Sequence, residues 1–144
     1  MSLLTFGLIL SPPDASSAQP DTAAIVNSGS TNRPGFRIVV DRSGVAEFTV
    51  TPRRRAIQPE ETSPEKITIP RSLADRLYTD LKAASPLALL PASHCMKSVS
   101  FGSALNIELG GEQTPDLSCG DGGNPALATL IRDCNEIVAL FRSK

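Results

Sequence analysis

The sequence predicts a small two-layer α+β domain, a mostly antiparallel sheet of four or five strands with two helices on one face. Three observations carry that prediction. Residues 36–50 alternate in the manner of strands around a turn. Two later segments repeat apolar residues at helical spacing. Between those segments, two cysteines enclose a pair of β-like runs joined by Gly110-Gly111.

The first hairpin is the clearest local signal. Phe36-Arg37-Ile38-Val39-Val40 is β-branched and aromatic. Asp41-Arg42-Ser43-Gly44 is a turn, because Asp bonds its own backbone and Gly accepts positive φ. Val45 to Val50 then alternates, with Val45, Glu47 and Thr49 on one side and Ala46, Phe48 and Val50 on the other. Thr51 to Glu65 holds Arg53-Arg54-Arg55, Glu60-Glu61 and three prolines, and reads as a mobile loop. Lys66 to Ile69 adds an optional short strand, ended by Pro70.

Arg71 to Ala84 is the first helix. Leu73, Leu77, Leu81 and Ala84 form its apolar stripe, and Ser85-Pro86 stops it. Leu87 to Pro91 is an apolar connector expected to pack under the sheet. Ser98 to Phe101 reads as a strand start, and Ala104 to Leu109 as its continuation or a new strand. Glu112 to Cys119 returns after the Gly pair, with Pro115 placing it at an edge. Asn124 is an N-cap and Pro125 the first residue of the closing helix, whose stripe is Leu127, Leu130, Ile131, Cys134, Val138 and Phe141, widened by Ile137.

The N-terminal 34 residues stand apart. Leu3 to Leu10 is a short apolar run, and Ser16-Ser17-Ala18 offers the small residues of a signal-peptidase site. Residues 1–18 therefore read as a signal peptide of bacterial type, with its basic n-region missing. The run is too short for a stable span, which needs about 20 residues. Residues 19–34 are rich in Ser, Thr, Asn, Gly and Pro and read as a flexible leader, leaving residues 35–144 as one domain. The expected location is secreted or periplasmic.

Cysteine usage agrees with that location. Cys95 and Cys119 lie 24 residues apart across the second hairpin and are the natural pair, worth about 3.5 kcal/mol in the chain-entropy account. Cys134 is the alternative partner, but it sits on an apolar stripe where a free, buried thiol is the simpler expectation.

Composition narrows the function classes. Fourteen Lys+Arg against 15 Asp+Glu leave no single-sign field, and five Phe, one Tyr and no Trp leave little for base stacking, so no nucleic acid is expected. Neither Gly-rich stretch matches a phosphate-binding loop, no cysteine pairing has zinc spacing, and no cofactor or metal is expected. His94-Cys95 invites a Cys–His nucleophile, but neighbours in an extended chain point to opposite faces. A serine triad from His94 with Ser98 or Ser100 lacks a nucleophile elbow.

The expected function is thus an exported, monomeric, non-enzymatic domain binding a protein or cell-envelope component, such as a secreted hydrolase. Its candidate contact loops hold Arg53, Arg54 and Arg55, and Asp121 with Asn124. The alternative is a small hydrolase or thiol enzyme using His94 with Cys95 or a nearby serine.

Overall fold

The computed structural model describes residues 21–52 and 63–143. Among these residues six strands form a single antiparallel sheet: β1 (Thr22–Asn27), β2 (Gly35–Asp41), β3 (Val45–Thr51), β4 (Glu65–Thr68), β5 (Leu105–Leu109) and β6 (Glu112–Gln113). Their spatial order is β4-β3-β2-β1-β5-β6. Two helices, α1 (Arg71–Ala84) and α2 (Pro125–Arg142), pack together and share one core with the sheet.

The predicted fold class holds, with one central correction. The leader placed at residues 19–34 contains β1, a strand bonded on both sides: Ile25 stands opposite Ile38 on β2 and Ile107 on β5. The polar residues around it mask a six-residue run, Thr22-Ala23-Ala24-Ile25-Val26-Asn27. Ala23 and Ile25 have no exposure. Pairing with β2 along its whole length and with β5 from Ala23 to Asn27 gives the strand's backbone partners on both edges, and this outweighs the weak β-propensity of alanine.

Register explains the single core face. Side chains alternate, so Ile107, Ile25, Ile38 and Phe48 line up across four strands, as do Leu109, Ala23, Val40 and Ala46. Against these rows lie Leu73, Leu77 and Leu81 of α1 and Leu127, Leu130 and Ile137 of α2. Phe36, Phe48 and Phe141 close one side, with ring centroids 5.5 and 5.3 Å apart along the chain of three. Neither described helix packs on the opposite sheet face. There Arg37 reaches Glu108 at 2.8 Å across β1, and Ala24 beneath is 5% exposed; Lys66 pairs with Glu47 at 2.9 Å.

Helix boundaries follow the predicted signals. Asn124 Oδ1 accepts from Leu127 N at 3.1 Å, and Pro125 opens α2. Pro70 precedes α1 without a side-chain cap; its carbonyl accepts from Leu73 N and Ala74 N. The connector after α1 is a 3-10 turn, Leu87–Leu89, in which Leu87 is buried and Leu89 is exposed.

The second hairpin is shorter than expected. β5 begins at Leu105, and Ser98 to Phe101 form a turn rather than a strand. β6 has two residues, because the ladder is only half made at Thr114: its N–H donates to Ile107 O at 2.9 Å, but its Oγ1 rather than its carbonyl accepts from Ile107 N at 3.0 Å, and the carbonyl accepts from Asn106 Nδ2 at 2.9 Å. Pro115 follows, and a 3-10 turn, Leu117–Cys119, leads toward α2.

Candidate functional site

One end of the sheet gathers the β1–β2 loop, the segment entering β5 and the segment leaving β6. The neck of the β1–β2 loop is a backbone crossing: Gly29 has φ +64°, and a Cβ there would lie 2.4 Å from Gly35 N. From this loop, Ser28 N donates to Ala104 O at 3.0 Å and Ser28 Oγ accepts from Ala104 N at 2.9 Å. Asn32 N donates to Ser100 O at 3.2 Å, and Asn27 Nδ2 to Ser103 Oγ at 3.2 Å. The segment 99–104 is thereby tied along its length to the loop beside it.

The predicted Cys95–Cys119 bridge is present, with an S–S bond of 2.06 Å and the two Cα atoms 5.3 Å apart. It fastens the chain just before that segment, at Cys95, to the 3-10 turn after β6. Lys97 adds a third tie. Its ammonium donates to Ser103 O at 2.7 Å and Ser118 Oγ at 2.6 Å, and pairs with the Asp116 carboxylate. Asp116 Oδ1 also accepts from Leu105 N and Ser118 N, each at 3.0 Å. Burial alone pushes the Asp116 pKa up, but Lys97, Ser118 and the two backbone N–H groups outweigh it and hold the group at about 2. Within the loop, Gly102 N donates to Ser98 O at 2.7 Å, and a Cβ on Gly102 would lie 2.5 Å from that oxygen.

On this braced backbone three apolar side chains face solvent. Met96 is 103% exposed, Val99 91% and Phe101 58%. Phe101 lies under the Arg33 guanidinium, 5.8 Å from the ring centroid. Sequence reasoning missed these residues as a site. Only the bridge partner beside Met96 pointed toward them.

The residues singled out from sequence distribute as follows. Arg53, Arg54 and Arg55, with Glu60 and Glu61, lie outside the described residues. Asp121 Oδ1 accepts from Gly123 N at 2.7 Å, so it shapes the turn before α2, and Asn124 caps that helix. Their carboxylate and amide oxygens therefore already serve local structure. His94 is exposed, and among the described residues no hydrogen bond joins it to Cys95, Ser98 or Ser100. The Cys95 sulfur is bonded to Cys119 and is no thiolate. Cys134 is free and buried on α2; burial, then the charge of Asp133, pushes its thiol up to about 12.

Among the described residues no three His, Cys, Asp or Glu side chains are grouped to hold a metal ion. No described helix is long and apolar enough to cross a membrane. Two surface depressions among the described residues lie away from this end, one on the open sheet face around Arg37, Glu108 and Gly110, another beside Tyr78, Lys82 and Pro86. Comparison with known proteins adds no assignment: no family model matches the chain, and no curated protein matches it as a relative.

Proposed function

We propose that this chain is an exported, non-enzymatic binding module, secreted or periplasmic, which engages a protein partner through residues 95–101. The observation that carries the proposal is the pairing of full exposure with bracing. Met96 and Val99 stand in solvent on a backbone held by a disulfide, by Lys97 and by the neighbouring loop. Apolar side chains left in water favour burial elsewhere, and a fixed loop gives up little conformational freedom when a partner covers it. A disulfide is consistent with an oxidising compartment, where such bridges persist.

The enzyme reading draws no comparable support. It requires Cys95 as a thiolate or a serine activated by His94, and the bridge withdraws the first.

A photo-crosslinking residue at Val99, in protein expressed in its native compartment, tests the proposal. The same probe at Thr49, on the sheet face turned away from both described helices, is the control. A discrete protein adduct at position 99 and none at position 49 is expected. Equal adducts at both positions, or none at either, would overturn the binding role of this loop.

A further inference from the structure

The shape of the braced segment narrows the partner. Met96 is a single unbranched side chain standing clear of the surface, which suits a concave pocket better than a flat interface. The chain is anchored immediately on both sides of it. Cys95 is held by the disulfide and Lys97 by its ammonium contacts with Ser103, Ser118 and Asp116. Anchors on both sides of one peptide bond matter most to a partner that attacks the backbone.

Resting on the binding-module reading above, we infer that residues 95–99 dock substrate-like in the active-site cleft of an endopeptidase whose primary pocket takes an unbranched apolar side chain. Met96 fills the pocket, and the Met96–Lys97 bond lies at the nucleophile. Attack on the Met96 carbonyl carbon forms an acyl-enzyme and breaks the C–N bond, and the Lys97 amine leaves with the proton supplied by the enzyme's general acid. Water would then release the Met96 carboxylate and regenerate the enzyme. Here the Lys97 amine cannot diffuse away, because its side chain is bound to the scaffold and its chain continues through the Ser98–Gly102 turn into β5. The tethered amine re-attacks the acyl carbon before water does and restores the peptide bond. The segment is therefore held as an inhibitor rather than consumed. Lys97 is the sole basic residue between Cys95 and Phe101, and its ammonium is engaged at the surface by Ser103, Ser118 and Asp116, so a pocket selective for basic side chains must first break those contacts to take it.

The test uses the oxidised protein against chymotrypsin and subtilisin, which have apolar pockets, and trypsin, which has a basic-selective one. Inhibition of at least one apolar-pocket enzyme is expected, with trypsin unaffected. Met96→Asp should weaken that inhibition about 100-fold, and Met96→Lys should transfer it to trypsin. The double variant Cys95→Ser/Cys119→Ser should be cut as an ordinary substrate. Met96 is fully exposed, so an unchanged thermal midpoint will show that its variants fold.

Three results would overturn the inference: no inhibition of either apolar-pocket enzyme, inhibition untouched by Met96→Asp, or complete hydrolysis at 96–97 without inhibition. Crosslinking at Val99 separates this failure from that of the binding role. An adduct with a protein that is not a peptidase keeps the module and removes the inhibitor, whereas no adduct removes both.

Discussion

Asp133 carries a carboxylate into the α1–α2 contact with no solvent exposure at all. Its Oδ1 accepts from Arg76 Nε at 2.7 Å and from Arg132 at 3.3 Å, while Oδ2 has no hydrogen-bond partner among the described residues. Burial, above all, pushes its pKa up. Arg76 pulls it down, and the nearby Asp80 raises it again. A raised carboxyl pKa gives stability that is present in acid and lost as pH rises through the folded value. Arg76→Ala removes the main opposing cation, so it should lower the urea midpoint at neutral pH, and progressively less as acid lets Asp133 keep a proton. Asp133→Asn keeps the shape without the charge and should cost less than Arg76→Ala at neutral pH. Asp116 has the opposite sign. Its folded pKa, about 2, lies below the ordinary 3.8, so its contribution is complete above about pH 4 and lost as pH falls from 3.8 toward 2. Urea titrations across that window should show a decline that Asp116→Asn flattens. A decline of the same slope in the variant would mean that the Lys97–Asp116 tie contributes nothing.

The elements differ in how far the sequence discloses them. The 35–51 hairpin, α1 and α2 are legible because their signals are local: alternation around Asp41–Gly44, leucines at helical spacing, and an Asn-Pro helix start. β1 is not legible, because what stabilises it lies elsewhere in the chain. Ala23 and Ala24 are poor strand formers alone, and become central only when β2 and β5 close on both sides. The early end of β6 also depends on tertiary context, since Thr114 turns its hydroxyl onto Ile107 N. Burial of Ile25 makes β1 testable. Ile25→Ala should cost about 2–5 kcal/mol of unfolding free energy, measured by chemical denaturation. A cost near zero would mean that residues 22–27 are the loose leader their composition suggests.

At the scale of the molecule, the sheet and helices form a platform with one braced end. The bridge at that end was legible from cysteine spacing and from the apolar position of Cys134. The exposed residues it presents were not. Residue type alone cannot separate an apolar side chain destined for the core from one left in water, so Val99 and Phe101 read as part of a strand. Asp121 and Asn124 read as loop residues for the converse reason: their polarity suits contact, yet their side-chain oxygens are used by the turn and the cap. Cys95 and Cys119 must be joined in the working protein, because the bridge fixes the loop, is consistent with an oxidising compartment and removes the thiolate. Intact mass of protein recovered from its native compartment, after alkylation with and without prior reduction, measures this directly. The account predicts one bridge and one thiol, Cys134, that alkylates only after denaturation. Three thiols free before reduction would contradict it.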